Sequence, residues 1–442
     1  MGVVADRVAG LARGRPVVVA SRREDGVVEV DRRRPVSVLA AFVLGRDAPD
    51  AAALGALDAP GLVVRPPRPA GRTLALAADF HTRHLGRRAE KRVPFRRECF
   101  CPTATYTRSI MEKLINDPTA YVDEMLDGMV AARPELRRLD GTEVVVRADG
   151  PADGQVAVVS GGGSGHEPSH AGYVGEGMLA GAAAGAVFTS PTADQLAAMI
   201  ESADAGAGVL CVVKNYEGDV MNFDTGAEMA GMEGVDVAQV VVDDDVAVED
   251  SLYTSGRRGV CGTVLVHKCA GAKAATGADL DEVTRVAEKA VENVGTMGVA
   301  LTSCVTPEKG EPTFELGEDE IELGIGIHGE PGVERTDAMS ADEVADTLLD
   351  EVLDDLGIES GEEVVTIVNG MGGTPLSELY IVQRRVAERL GEEGVDVHDA
   401  WVGDYMTSLD MEGCSVTVCR VDDELKELLA APAETPALTV RE

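Results

Sequence analysis

Three glycine-rich segments carry the side chains that could do chemistry, and the first is GGGSGHEP at 161–168. It supplies Gly163, Ser164, Gly165 and His166 as candidate ligand contacts, because glycines let backbone N–H groups approach a ligand's oxygens closely. The segment has neither the Gly-Lys-Ser/Thr of a Walker loop nor a GxGxxG spacing, so it does not indicate nucleotide binding. A tight turn between strand and helix would explain the glycines alone. Such a turn does not explain His166, which could donate a hydrogen bond to a bound hydroxyl or carbonyl or cap the next helix.

The second segment, KNYEGDVMNF at 214–223, follows the apolar run 209–213 and contains Lys214 and Asp219. Open α/β sheets place ligand contacts at the carboxyl ends of their strands, where these two residues are expected. The competing interpretation, which the residues alone slightly favour, makes Asp219 the N-cap of the following helix. Lys214 adds an amine that can bind a carbonyl or an anion beside a pocket.

The third segment is EIELGIGIHGEPG at 320–332. Apolar residues alternate along 321–327 on one face of a predicted strand, so Gly324, Gly326 and His328 lie on the other. The two missing side chains predict open space beside the imidazole, which favours a functional histidine over one packed in a core. Imidazole can act as a base, a nucleophile or a metal ligand. No HxH or HExxH spacing includes His328, so a metal is the least supported of these.

The elements that must position these segments alternate between helices and strands. Helical spacing predicts helices over 121–130 and 191–203, and a third that opens at Asp279 with a capping box to Glu282. Strands are predicted at 156–160, 209–213, 237–242, 299–302, 321–327, 364–369 and 395–402. The pattern indicates an α/β fold with largely buried strands, in two domains, 111–294 and 295–442.

Charge divides the chain into two unlike parts. Residues 1–110 hold 20 basic and 11 acidic side chains, a net charge of +9, whereas residues 111–442 hold 20 and 66, a net charge of -46. So acidic a surface suits a cytosol of high salt, where the screening length falls to about 3 Å. The composition therefore indicates a salt-loving organism of the haloarchaeal kind.

The first 110 residues are interpreted as a mis-assigned start or a disordered extension, with Met111 as the true first residue. Positions 1–109 contain no Asn, Gln or Ile and are rich in Arg, Ala, Gly, Pro and Val, which is typical of translated GC-rich DNA. A basic accessory tail is a competing interpretation. An export signal is disfavoured, because the apolar run 36–44 lies too far from Met1.

Composition also bears on partners and compartment. The acidity repels nucleic acid and anionic membranes, and no apolar run approaches the ~18–20 residues of a membrane span. Eight cysteines without a CxxC pair are typical of small buried hydrophobes in a reducing cytoplasm. We therefore expect a cytoplasmic protein that has no metal and no cofactor of its own.

Five strings identify the family that the acidic part of the chain resembles. They are GGGSGHEPSHAGYVGEGMLAGAAAGAVFTSPTADQ (161–195), VKNYEGDVMNFDTGAEMA (213–230), VVDDDVAVEDS (241–251), GIGIHGEPG (324–332) and VNGMGGTPLSELY (368–380). Together they closely resemble the substrate-binding K subunits of the dihydroxyacetone kinases, from Met111 to Ala431. The resemblance implies the two-domain fold of those subunits, with mixed sheets flanked by helices.

The resemblance implies phosphoryl transfer to a terminal hydroxyl of a small ketone triose. The family's histidine that holds the substrate carbonyl as a hemiaminal matches His328, and its general base matches Asp219. His166 matches the histidine that orients the substrate oxygens, assisted by the backbone of Gly163 and by Lys214. Because only a ketone or an aldehyde can form this covalent bond, polyols such as glycerol would be refused.

The resemblance also implies partners. Family members that use ATP directly carry a further helical nucleotide-binding domain, which is expected to be absent because the chain stops at Glu442. A separate L subunit would then hold ADP and Mg²⁺ and be recharged by a phosphohistidine protein of the sugar phosphotransferase system. A homodimer is expected. An L subunit that uses ATP, a non-catalytic dihydroxyacetone-binding regulator and a stand-alone carbonyl-binding protein are the alternatives.

Removal of residues 1–110 is predicted to leave folding, dimerisation and activity intact, because the matched motifs all follow Met111. Size-exclusion chromatography and turnover of the shortened and full-length chains, side by side in high salt, measure this. Loss of folding on shortening would show that the extension belongs to the protein.

Overall fold

The computed structural model describes residues 21–22, 28–29, 113–248 and 255–441. The chain forms two units, 1–101 and 102–442. In the first, the described residues are two short strands, Ser21–Arg22 and Val28–Glu29, which pair antiparallel. The rest of the predicted extension 1–110 lies outside the described residues, so the start at Met111 stays a prediction.

The first sheet of the second unit has six strands in the order β1-β2-β4-β3-β5-β6. Its strands are β1 (Leu136–Arg138), β2 (Val144–Arg147), β3 (Ala157–Ser164), β4 (Gly181–Val187), β5 (Val209–Lys214) and β6 (Val237–Val242). The four strands from β4 to β6 are parallel, and β1 and β2 are antiparallel to their neighbours. Because β3 and β5 are adjacent and parallel, the loops that follow them lie at one edge.

The second sheet also has six strands, in the order β9-β8-β7-β12-β10-β11. They are β7 (Val294–Ala300), β8 (Glu320–Leu323), β9 (Glu334–Asp337), β10 (Glu363–Gly370), β11 (Asp396–Gly403) and β12 (Gly413–Arg420). Only β10 and β11 pair in parallel. The short β8 ends directly before the segment that contains His328.

Eight α-helices flank the two sheets in the described part of the second unit. They are α1 (Tyr121–Ala132), α2 (Ala193–Ala203), α3 (Glu217–Met232), α4 (Thr263–Ala275), α5 (Leu280–Glu292), α6 (Ala341–Leu356), α7 (Leu376–Glu393) and α8 (Asp423–Ala430). The predicted α/β fold with mixed sheets is therefore confirmed. Judged by length and hydropathy, the helices within residues 113–248 and 255–441 include no candidate membrane span.

The helix that opens at Asp279 shows how local sequence begins an element. The Asp279 side chain accepts the backbone N–H of Glu282 at 3.0 Å, as an N-cap does. Glu282 does not return the bond, because its carboxylate pairs with Arg285 at 2.8 Å. The predicted N-cap is confirmed, and the reciprocal half of the capping box is wrong.

The strands predicted at 209–213 and 237–242 match the structure closely, whereas other strands differ from the prediction or are not predicted. The strand predicted over 299–302 instead begins at Val294 and ends at Ala300. Within the two six-stranded sheets, five strands are not predicted by the sequence: Leu136–Arg138, Val144–Arg147, Gly181–Val187, Glu334–Asp337 and Gly413–Arg420. The clearest case is GAAAGAV in β4, since Gly and Ala are depleted in strands and only tertiary packing makes this run one.

The expected division at residue 295 falls beside the change from one sheet to the other, which lies between Val242 and Val294. The core crosses that division, because Val212 of β5 and Ile367 of β10 belong to one apolar cluster. Helix α8 also packs on α4, where the buried Lys268 Nζ donates to Leu428 O at 2.6 Å. The two-domain boundary stays a prediction, within a unit that packs as one body.

Two helical glycines allow a matched test of this packing. A Cβ on Gly271 of α4 would lie 2.4 Å from Met178 Cα, whereas a Cβ on Gly128 of α1 has nothing within 4 Å. We predict that Gly271→Ala lowers the free energy of unfolding by about 1–3 kcal/mol, because backbone must shift. Gly128→Ala should raise it by about 0.5–1 kcal/mol. Urea titration in high salt measures both, and equal midpoints would contradict the assigned packing.

Candidate active site

His328 lies in a turn, where the sequence predicts a strand. The strand predicted over 321–327 ends at Leu323, because Gly324 takes a φ of 70° that turns the chain. Ile325 and Ile327 are nevertheless buried. The alternation of apolar residues therefore predicts the burial of Ile325 and Ile327 correctly, but it predicts their secondary structure wrongly.

The space beside Gly324 and Gly326 is filled. A Cβ on Gly326 would lie 2.0 Å from Glu330 Oε2 and 2.7 Å from Arg258 Nη1. A Cβ on Gly324 would lie 2.7 Å from that of Ala247. The prediction of open space beside the imidazole is therefore wrong, since these glycines admit other side chains.

Three aromatic rings surround the imidazole of His328. Ring centroids lie 4.7 Å away for His166, 5.3 Å for Phe188 and 4.6 Å for Tyr216, each nearly perpendicular to the imidazole. The His328 side chain is 16% exposed, so part of it still faces solvent. These rings hold the imidazole in one orientation and leave one side of it accessible.

A buried carboxylate binds the inner side of the same imidazole. Glu330 Oε1 lies 2.8 Å from His328 Nδ1, and Glu330 Oε2 accepts the backbone N–H of His328 at 2.9 Å. Burial alone would raise the pKa of Glu330, but the charge and hydrogen bond of His328, together with Arg258, lower it to about 2. Glu330 is therefore ionised and accepts both hydrogen bonds.

Arg258 and Asp245 form a buried ion pair behind Glu330. Arg258 Nε and Nη2 lie 2.7 and 2.6 Å from Asp245 Oδ2, and Nη2 also donates to Gly324 O at 2.7 Å. Burial raises the pKa of Asp245 to about 6, against the lowering effect of Arg258. The guanidinium is bonded on these two sides, and its charge also interacts with Glu330.

His166 follows β3 and belongs to the same group. The fully buried ring has Nδ1 2.8 Å from the carbonyl oxygen of Thr407, 241 residues further along the chain. Burial, His328 and Lys214 hold the pKa of His166 well below its usual range, so the ring is neutral. A carbonyl only accepts, so Nδ1 carries the hydrogen and Nε2 is an acceptor. The capping alternative for His166 is thereby wrong, because its ring binds a distant loop.

Lys214 and Asp219 meet at the end of β5. Both side chains are buried, and Lys214 Nζ lies 3.3 Å from Asp219 Oδ2. Helix α3 begins at Glu217 with Tyr216 at its N-cap position, so Asp219 lies inside the first turn. The N-cap interpretation of Asp219 is wrong, since its carboxylate pairs with an ammonium.

Tyr216 joins this pair to His328. Its ring contacts the imidazole, and Lys214 Nζ lies 5.5 Å from the ring centroid. The structure thus brings His166, Lys214, Asp219 and His328 into one site.

The polar groups of the glycine-rich loop are largely bonded within the protein and do not serve as free hydrogen-bond donors to a ligand. The Ser164 hydroxyl donates to Gly185 O at 2.7 Å, and the Gly165 N–H donates to the carboxylate of Glu167 at 3.1 Å. A Cβ on Gly163 would lie 2.6 Å from Thr189 N, so that residue packs against backbone. Ser164 and Gly165 therefore use their polar groups within the protein.

Four polar atoms of the site are buried without a hydrogen-bond partner among the described residues. They are His166 Nε2, Tyr216 Oη, Asp219 Oδ1 and Arg258 Nη1. Buried polar atoms are rarely left unpaired, so such a group indicates a site for a polar ligand. The described residues hold no cluster of three or more His, Cys, Asp or Glu that could bind a metal.

Sequence reasoning misses five residues of this arrangement: Phe188, Tyr216, Arg258, Glu330 and Thr407. Glu330 and Tyr216 lie inside the segments already singled out, and the two-residue spacing of Glu330 from His328 is a usable signal. Arg258 and Thr407 lie in loops far along the chain. Only the tertiary structure brings these two to the site.

Comparison with known proteins identifies the family of the chain. A family model described as the Dak1 domain matches residues 127–437, which is more than half of the chain. The chain therefore belongs to the Dak1 domain family.

Among individual proteins, the chain is similar to the "PTS-dependent dihydroxyacetone kinase 1, dihydroxyacetone-binding subunit DhaK" of Listeria innocua. The two are 51% identical over 329 residues, which cover 74% of this chain and 100% of the relative. A solved structure titled "Dihydroxyacetone kinase operon co-activator Dha-DhaQ" is 36% identical with a TM-score of 0.69, covering 72% of this chain and 98% of the other. The dihydroxyacetone kinase of C. freundii is 35% identical with a TM-score of 0.67, covering 75% of this chain and 61% of the other.

Proposed function

We propose that this chain is the dihydroxyacetone-binding subunit of a dihydroxyacetone kinase. It holds the triose as a hemiaminal on His328 and presents a hydroxyl for phosphorylation to dihydroxyacetone phosphate. The convergence of His328, His166, Asp219 and Lys214 on one partly accessible site carries the proposal. The Listeria relative, similar along its whole length, supports the same substrate.

The first step is attack of His328 Nε2 on the substrate carbonyl carbon. A nitrogen–carbon bond forms, the carbonyl π bond breaks, and the resulting alkoxide takes a proton from water. The imidazole becomes positively charged, and Glu330 faces that charge from 2.8 Å. His166 Nε2 accepts a hydrogen bond from a substrate hydroxyl and so orients the triose.

The second step is phosphoryl transfer to the terminal hydroxyl. Asp219 accepts the hydroxyl proton as general base while the oxygen–phosphorus bond forms and the bond to the leaving nucleotide breaks in line. Asp219 Oδ1 is free for this role, because Lys214 holds only Oδ2. The ammonium of Lys214, 3.3 Å from Oδ2, holds the Asp219 side chain in place.

A separate L subunit is the proposed donor, holding ADP and Mg²⁺ and recharged by a phosphohistidine phosphotransferase protein. The name of the Listeria relative, which includes dependence on the phosphotransferase system, supports this arrangement. An L subunit that uses ATP is the alternative phosphoryl donor. Neighbouring genes for an L subunit and a phosphotransferase protein would favour the first arrangement. We also propose a cytoplasmic homodimer that works at high salt.

A non-catalytic regulator is the second candidate function. The similarity to the co-activator structure, whose chain is 98% covered, favours it. The buried Lys214–Asp219 pair beside His328 supports catalysis instead, because binding the ketone needs no general base. Triose that binds covalently while no donor ever delivers phosphate would identify the regulator.

His328→Ala is predicted to abolish the covalent adduct, because the side chains of His166 and Lys214, which carry the other nucleophilic nitrogens of the described site, are fully buried. Intact-protein mass spectrometry after incubation with dihydroxyacetone measures the adduct. The variant should also admit glycerol weakly. His398→Ala, which removes an exposed imidazole of β11, is the matched control and should form the adduct normally. An undiminished adduct in His328→Ala would refute the role of His328.

Asp219→Asn is predicted to retain the adduct and to lose phosphoryl transfer by about 10²–10⁴-fold, the usual contribution of a general base. Transfer is measured with the L subunit and phosphotransferase components. Asp224→Asn, an exposed position on the same helix, is the control. Turnover of Asp219→Asn equal to that of the control would reduce Asp219 to a structural partner of Lys214.

A further inference from the structure

We propose that Glu330 is a positioning residue that fixes the tautomer of His328, placing the ring hydrogen on Nδ1 and the lone pair on Nε2. The inference deepens the proposed function and rests on it for the consequence, but not for the tautomer itself. Without this control, a neutral imidazole could place its hydrogen on either nitrogen, and only one form is nucleophilic at Nε2.

The two oxygens of Glu330 meet two donors of the same residue. Oε2 accepts the backbone N–H of His328 at 2.9 Å, which can only donate. Oε1 lies 2.8 Å from Nδ1, and an ionised carboxylate can only accept. Nδ1 must therefore carry the hydrogen. An orienting carboxylate on an imidazole serves the same purpose in hydrolase triads.

The surrounding structure keeps Glu330 ionised and in place. Its side chain is 1% exposed, so protein groups must replace the water that would otherwise solvate the carboxylate. Arg258 supplies the balancing charge, and Asp245 and Gly324 O fix the direction of its guanidinium. Gly326 leaves room for the Glu330 carboxylate and the Arg258 guanidinium, since a Cβ at this position would clash with Glu330 Oε2.

Fixing the tautomer has two consequences for the proposed attack. Nε2 presents its lone pair to the carbonyl without prior proton loss. The carboxylate also stabilises the positive imidazole that forms with the nitrogen–carbon bond, so the Nδ1 hydrogen stays where it is. A compound without a carbonyl cannot form the nitrogen–carbon bond, so the fixed tautomer does not favour its binding.

Glu330→Gln should reverse the tautomer. The backbone N–H of His328 needs an acceptor, so the amide oxygen faces it and the amide NH₂ faces Nδ1. Nδ1 must then accept, and the ring hydrogen moves to Nε2. Glu334→Gln removes the same charge at an exposed position four residues on and serves as the control.

The experiment uses the full chain with ¹⁵N-labelled histidine and has two readouts. Long-range ¹H–¹⁵N spectra, at a pH where the ring is neutral, distinguish a protonated from an unprotonated ring nitrogen, and His328→Ala assigns the signals. Adduct formation with dihydroxyacetone, followed by mass spectrometry, gives the rate. We expect Nδ1 protonated in the native chain and in Glu334→Gln, and Nε2 protonated in Glu330→Gln with adduct formation about a hundredfold slower.

The proposal fails if the native chain carries the hydrogen on Nε2, a result that needs no variant to fold. It also fails if Glu330→Gln keeps the native tautomer, or forms the adduct within about twofold of Glu334→Gln. A native chain that forms no adduct, with the tautomer reversed in Glu330→Gln, would refute the proposed function and leave the control of the tautomer standing.

Discussion

The site depends on the burial of charge between two sheets. Arg258, Asp245 and Glu330 lie behind His328, and Lys214 with Asp219 lies at its side, all of them removed from water. A buried charge is tolerated only where a partner and hydrogen bonds replace its hydration, so each of these groups constrains the position of the next. The pairs therefore determine which loops approach one another and where glycine must occur.

Glycines serve this arrangement by letting side chains pass. A Cβ on Gly162 would lie 2.4 Å from Lys214 Nζ, and one on Gly326 would lie 2.0 Å from Glu330 Oε2. At both positions a charged group occupies the space that a side chain would otherwise fill. The glycine-rich motifs thus make room for the protein's own charges, while the polar groups of Ser164 and Gly165 bind within the loop.

The sequence predicts the members of the site better than their geometry. His166, Lys214, Asp219 and His328 are identifiable because each lies in a glycine-rich segment next to an apolar run, and the fold brings those segments together. The turn at Gly324 and the filling of the space beside Gly326 are not predictable, because periodicity reports burial and not the neighbour that occupies a gap. Arg258 and Thr407 reach the site only through tertiary packing. The Gly-Ala strand β4 is likewise not predicted, because only tertiary packing makes this run a strand.

The hydrogen bond from His166 to Thr407 spans 241 residues of sequence and joins a loop of the first sheet to one that follows β11 of the second. The orientation of His166 is therefore acquired only when the far end of the chain has folded. A nascent or partly unfolded chain possesses the glycine loop without an oriented imidazole in it. Folding of the whole chain and completion of the site are thus coupled, because the site has its oriented His166 only after the loop that contains Thr407 has folded.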